Sequence, residues 1–239
     1  MAAGEFAPGI RRAEIGDAAL LTELGERTFS ETFAKDNRPE DLAQYLALAF
    51  GPDLQAAELA DPGTIAFLAE RDGAAVGYAM LREGAVPACI TGALPVELAR
   101  LYVLKSRLGR GEGEALMSAC VEGARRAGYG TMWLGVWEHN ARAQAFYRRW
   151  KFRYVGEHVF QLGSDPQIDC LMERELSRAA HFRALLRAPL LNRSGSAPRG
   201  SPRSPRLQPS EGAETWPPPR ARRPRSATSK RSGSCGRCG

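Results

Sequence analysis

The chain is most constrained by the segment Leu101–Leu116. An apolar run, Leu101-Tyr102-Val103-Leu104, leads into Lys105-Ser106-Arg107-Leu108-Gly109-Arg110-Gly111-Glu112-Gly113 and then into Glu114-Ala115-Leu116. This reads as a strand, a glycine loop and the start of a helix. Glycines let a backbone approach a ligand and turn its N–H groups inward. The helix start adds unpaired donors and a positive dipole end, so the segment makes a phosphate cradle without needing any one side chain. Two familiar phosphate loops fail on spacing. A P-loop requires Gly-Lys-Ser/Thr, which is missing, and a dinucleotide fingerprint requires G-x-G-x-x-G, whereas Gly109, Gly111 and Gly113 alternate as G-x-G-x-G. Taken alone, the loop suits a plain glycine turn with basic decoration equally well.

The next segment shifts that balance. Thr131–Trp137 reads as a strand, Asn140–Trp150 as a short helix, and Phe152–Phe160 as another strand. This order, with its Asn-Ala-x-Ala-x-x-Phe-Tyr helix, resembles the GCN5-related N-acetyltransferase (GNAT) family from about Ile10 to about Leu176. The pieces Thr28–Phe33, Asn37–Asp41, Trp133–Glu138 and Asp169-Cys170-Leu171-Met172 further resemble PaiA-type spermidine/spermine acetyltransferases.

The resemblance implies an α/β domain with a central mixed, mainly antiparallel sheet and helices on both faces. It also implies that strands four and five splay apart to admit a pantetheine arm. Acetyl-CoA is the implied co-substrate, held at its pyrophosphate by Arg107, Leu108, Gly109, Arg110, Gly111, Glu112 and Gly113. Backbone groups of Leu101, Tyr102 and Val103 would meet the pantetheine and the acetyl carbonyl, and Asn140 would contact CoA. Tyr147 would protonate the departing thiolate. Oriented donors stabilise developing charge at little reorganisation cost, and a phenol with a pKa of roughly 10 can donate at neutral pH.

Each assignment has a plainer alternative. Tyr147 shares an amphipathic helix with Phe146 and Trp150 and could be core. Asn140 is a good N-cap. Glu97, on the strand that carries Tyr102, could accept the amine proton directly or through water, or could be a salt-bridged carboxylate. Glu31 and Glu138 could bind a second ammonium of a polyamine, since an alkylammonium offers only donors and charge.

Three positions depart from the family pattern. Leu108 stands where the loop usually has Gln or Arg, with Arg110 able to supply the charge. Lys151 replaces the usual glycine after the tyrosine helix, where a left-handed backbone strains other residues. Ala99 stands where many relatives carry Glu. These departures leave open a CoA-binding regulatory module without catalysis. Protein, peptide or other small amines are open as alternative acceptors.

Charge divides the chain. Residues 178–239 carry 13 Arg and 1 Lys against 2 Glu, a net of +12, so with a whole-chain charge of +6 the first 177 residues sum to −6. An acidic domain (1–177) would steer a cationic acceptor electrostatically. The remainder (178–239) is a Pro/Arg/Ser-rich tail with the composition of disorder. Nucleic acid is an expected partner only through that tail, and Trp216 is its one aromatic after Phe182. Relatives of this kind often pair, so a homodimer is an expectation.

Cys89, Cys120 and Cys170 sit in apolar contexts and read as small core residues. Cys235 and Cys238 form one C-x-x-C with no second ligand pair at zinc spacing, so no metal is expected. Met1–Gly9 does not read as a signal peptide and no run reaches the length of a membrane span, which makes a cytoplasmic enzyme the default expectation.

Overall fold

The computed structural model describes residues 6–176. The expected domain boundary after Ser177, the basic tail and the terminal cysteine pair lie outside the described residues.

In chain order the elements are β1 (Ile10–Arg12), α1 (Ala18–Phe33), α2 (Pro39–Ala49), α3 (Pro52–Ala60), β2 (Thr64–Arg71), β3 (Ala74–Arg82), β4 (Pro95–Val103), α4 (Glu112–Ala127), β5 (Thr131–Trp137), α5 (Ala141–Arg149), β6 (Arg153–Leu162) and β7 (Asp165–Glu175). The strands form one sheet in the order β1-β2-β3-β4-β5-β7-β6. Every neighbouring pair is antiparallel except β4–β5. Asp72 and Gly73, both at positive φ, close the β2–β3 hairpin, as Asp-Gly favours.

Helices cover both faces. Gly123 of α4 lies against Ile65 and Phe67 of β2, whereas Gly25 of α1 lies against Tyr78 of β3. Tyr78 pairs with Leu68 and so points away from Phe67, because strand side chains alternate between faces. The core between them, with Leu21, Leu68, Tyr78, Met80, Leu116, Met117 and Met132 fully buried, is continuous through the sheet.

Two features of β4 shape the site. Its pairing with β5 holds only for Pro95↔Thr131, Val96↔Met132 and Glu97↔Trp133, although β4 runs on to Val103 and β5 to Trp137. The strands therefore part beyond Glu97, which is the expected splay. On the other edge the register steps from Met80↔Arg100 to Leu81↔Leu98, so Ala99 is a bulge. That extra residue brings Glu97, opposite Arg82, onto the same face as Arg100 and Tyr102.

Two local readings of the sequence, a first strand over Ile10–Ile15 and Asp17 as cap of the helix that follows, are corrected by the structure. The first strand ends at Arg12, and Ile15 lies in a 3-10 turn (Ile15–Asp17) rather than in the strand. Asp17 does not cap α1 with its side chain. Its carboxylate instead accepts two hydrogen bonds from the Arg11 guanidinium, at 2.7 and 2.8 Å, and one from the Glu14 N–H at 2.8 Å. A bidentate, charge-assisted pair outcompetes a single neutral cap bond.

Candidate active site

The site has two walls that meet where β4 and β5 separate. The first is built from contiguous sequence. After Leu104 the chain makes a 3-10 turn, Lys105–Arg107, then passes through Gly109 (φ 79°) and Gly111 (φ 98°) into α4. Both glycines occupy backbone conformations that side chains resist. A Cβ at either would meet nothing within 4 Å, so the space over the loop is open. Gly113 is different: its Cβ would make ordinary contact with Phe146 at 3.7 Å.

The loop charges are not equivalent. Arg107 donates through Nε (3.1 Å) and Nη2 (2.6 Å) to Oε1 of Glu112, which is buried at the first position of α4. Arg71 Nε lies 3.7 Å from the same oxygen. Burial pushes the Glu112 carboxyl up, but the Arg107 hydrogen bonds and the charges of Arg107 and Arg71 outweigh it and hold it below the usual range. Arg107 thus braces the loop, whereas Lys105 and Arg110 are exposed. Glu31 is also part of the brace. It accepts the Lys105 N–H at 2.8 Å and an Arg27 bond at 3.2 Å, which keep its carboxyl below the usual range and tie α1 to the loop.

α5 closes this wall. Asn140 accepts the Ala143 N–H at 3.1 Å as an N-cap. Buried Gln144 donates to the carbonyls of Trp137 (3.3 Å) and Glu138 (2.8 Å), fixing α5 to the end of β5. Tyr147 packs edge-on against Phe146 and Phe152, and its hydroxyl has no hydrogen-bond partner among the described residues. Burial, reinforced by the charges of Cys120 and Asp169, drives this phenol well above its ordinary pKa. It therefore stays protonated across the neutral range. Lys151, after α5, has φ 67°, the left-handed conformation expected there.

The second wall comes from distant segments. Phe29 and Phe33 of α1, Tyr45 of α2, Tyr102 of β4, Trp137 of β5 and Phe160 of β6 form a chain of ring contacts. Phe29 stacks on Tyr45 at 4.5 Å, Tyr45 meets Phe160 at 5.3 Å, and Phe33 meets Trp137 at 5.9 Å. Asp41 anchors α2 here by accepting the Ser164 N–H at 2.6 Å.

Carboxylates line the same face, with different commitments. Glu97 accepts two bonds from Arg82, at 2.9 and 3.1 Å, through Oε2 alone. Glu58 pairs with Arg100 at 2.5 Å and lies 3.9 Å from Arg82, so these four charges balance. Glu138 is exposed just beyond β5, 3.8 Å from His139. Asp169, opposite Trp137, is only 14 % exposed yet accepts no hydrogen bond among the described residues; its ion-pair neighbour is His158 Nε2 at 3.7 Å.

Comparison with known proteins settles the family. Residues 22–152 match the acetyltransferase (GNAT) family. The chain is 34% identical over 170 residues to an uncharacterized N-acetyltransferase of Lactobacillus delbrueckii subsp. lactis, covering 70% of this chain and 98% of that protein. It is 35% identical over 160 residues to an uncharacterized N-acetyltransferase of Mycobacterium tuberculosis, covering 67% and 98%. The chain belongs to the GNAT family. It is an N-acetyltransferase. Its fold matches PaiA N-acetyltransferase from Thermoplasma acidophilum, solved in complex with coenzyme A, with a TM-score of 0.57 at 19% identity over 70% of this chain and 97% of that one. It also matches a putative acetyltransferase from Salmonella typhimurium, solved with acetyl-CoA, with a TM-score of 0.51 at 24% identity over 72% and 95%.

Tyr102 and Glu97 share β4, with Glu97 at the point where β4 and β5 part; Tyr147 sits on α5, whose Phe146 lies against Gly113; Glu31 braces the loop and Glu138 is exposed beyond β5. Sequence reasoning missed the Arg107–Glu112–Arg71 brace and the Asp169–His158 pair. The signal for Asp169 was its isolation among apolar residues in Ile168-Asp169-Cys170-Leu171. Among the described residues no helix is long and apolar enough to cross a membrane, and no cluster of His, Cys, Asp and Glu could hold a metal ion.

Proposed function

We propose that this GNAT enzyme acetylates the primary amine of a polyamine such as spermidine or spermine. Acetyl-CoA is the co-substrate and supplies the acetyl group activated as a thioester. The observation that carries the polyamine reading is the second wall. Its rings offer π faces to cations and apolar contact to methylenes, and Asp169, beside His158, offers a carboxylate that accepts no hydrogen bond among the described residues. A polyamine alternates those two needs along one chain. The negative net charge of residues 1–177 adds long-range attraction.

The residues divide the work. Backbone N–H groups of Gly109, Gly111 and Gly113, with the α4 dipole at Glu112, receive the pyrophosphate, helped by the Arg110 side chain. The edge of β4 from Leu101 to Val103 has no β5 partner, so its free backbone groups meet the pantetheine and polarise the acetyl carbonyl. Arg107 and Leu108 set the loop's shape, and Asn140 sets the start of α5. Tyr147, protonated and with no hydrogen-bond partner among the described residues, gives its proton to the departing sulfur. Glu97 keeps one free oxygen, Oε1, for the acceptor at the branch point. Glu31 and Glu138 contribute negative potential near the cleft.

The test is thiol release from acetyl-CoA by the full chain with spermidine, spermine, n-butylamine and a peptide bearing a free N-terminus, beside Tyr147→Phe. The expected result is highest kcat/KM with the polyamines and a kcat lowered about 100-fold in the variant, the scale of one general acid. Preference for the peptide would replace the polyamine and keep the reaction.

A further inference from the structure

Acetyl transfer needs a proton acceptor for the attacking amine. Glu97 is already engaged by Arg82 through two hydrogen bonds. Asp169 and His158 provide a different solution. They lie on adjacent strands, directly paired in the β6–β7 register. β6 is the edge strand, with β7 between it and β5. Even so, the His158 side chain leans across β7 as far as β5.

Gly135 makes this reach possible. A Cβ there would lie 3.1 Å from Asp169 Oδ2 and 3.3 Å from His158 Nε2. Both side chains thus converge over the one position of β5 that lacks a side chain, two residues past Glu97↔Trp133, where β4 and β5 part. We propose that His158 takes the proton of the attacking amine and that Asp169 stabilises the imidazolium so formed. This rests on the acetyl-transfer reading of the same cleft.

The step balances. The amine nitrogen forms a bond to the acetyl carbon as the carbon–sulfur bond breaks. The amine proton passes to His158, and Tyr147 supplies a proton to the sulfur. Returning His158 and Tyr147 to their starting states moves one proton between them through solvent. An imidazole suits the task because its ordinary pKa lies near neutrality. Burial raises the hydroxyls of Tyr45 and Tyr147 and the Cys170 thiol, and the charge of Asp169 adds to it in each case. Glu138 and Glu157 also act on Cys170, and Arg148 opposes them. Tyr45 and Tyr147 stay neutral below alkaline pH, so neither gives an acidic limb in the rate profile.

The experiment combines two readouts on the full chain. The first is imidazole NMR with CoA bound, with His158 assigned through His158→Gln, in wild type and Asp169→Asn. The second is kcat and kcat/KM against pH for wild type and both variants, with whichever amine of the panel is turned over. His158→Gln is expected to lower kcat about 100-fold with acetyl-CoA KM unchanged, and Asp169→Asn about tenfold. Asp169→Asn is expected to change the His158 imidazole signals and the acidic limb of the rate profile together. Unchanged kcat in His158→Gln, or a His158 titration indifferent to Asp169→Asn, overturns the proposal. Failure of spermidine alone, with another amine turned over and His158 still required, overturns the polyamine acceptor and keeps the pair. If no amine is turned over, the acceptor reading has failed, and the NMR titration alone decides whether Asp169 and His158 are coupled.

Discussion

The two walls of the cleft are made in opposite ways. The cofactor wall is almost one stretch of chain, Leu101–Leu116, followed by α5. Its properties come from backbone conformation: left-handed glycines, a helix start, a strand edge without a partner. The acceptor wall draws single side chains from α1, α2, β4, β5, β6 and β7, and its properties come from rings and charges. A backbone-built wall tolerates sequence change wherever the dihedrals are kept. A side-chain wall can change its ligand with one substitution. The family likeness accordingly speaks for the cofactor and leaves the acceptor to be argued from this chain's own residues.

The largest effect should come from forcing the backbone of the cofactor wall. Gly111→Val places a β-branched residue at φ 98°, at a cost of roughly 1–2 kcal/mol or more. If the loop moves to relieve it, acetyl-CoA affinity should fall about tenfold or more, measured by calorimetry. Unchanged affinity would mean that the loop does not need this conformation to bind.

A smaller effect concerns the brace. Glu112→Gln removes the charged acceptor of the Arg107 bonds and should cost about 2 kcal/mol of stability in denaturant titration. The pH dependence follows from the depressed folded pKa of Glu112. Its contribution is complete above the unfolded value of about 4.3 and is lost as pH falls through the folded value. The gap between wild type and variant should therefore close in acid, and a gap that persists there would deny the charge its role.

The smallest effect runs the other way. Lys151→Gly relieves a left-handed lysine and should raise stability by up to about 1 kcal/mol without altering kcat. A loss of stability would show that the lysine makes a contact worth more than its strain.

The contrast between the walls also explains what the sequence made legible. The glycine loop, the Asn140 cap, the Asp72-Gly73 turn and the left-handed Lys151 follow from neighbours within a few residues, and the structure has them where local rules put them. The splay of β4 and β5 followed from the family likeness. Asp17 misled because its partner, Arg11, lies outside the helix it was expected to cap. Arg107 reads as a phosphate ligand from its place on the loop, and its bonds to buried Glu112 become visible only in the fold. Glu31 reads as an acceptor ligand, and its bond from the Lys105 N–H, 74 residues away, becomes visible only in the fold. Asp169 and His158 meet over Gly135 only through strand order and register, which no local spacing contains.

The most direct measurement pairs one substitution from each wall: Gly111→Val and Tyr45→Ala, each with acetyl-CoA affinity and the amine KM determined. Gly111→Val is predicted to weaken acetyl-CoA and leave the amine KM near wild type. Tyr45→Ala is predicted to raise the amine KM about tenfold, the loss of one buried aromatic–cation contact, and to leave acetyl-CoA affinity unchanged. Both constants moving together in both variants would contradict a cleft built from two separable walls.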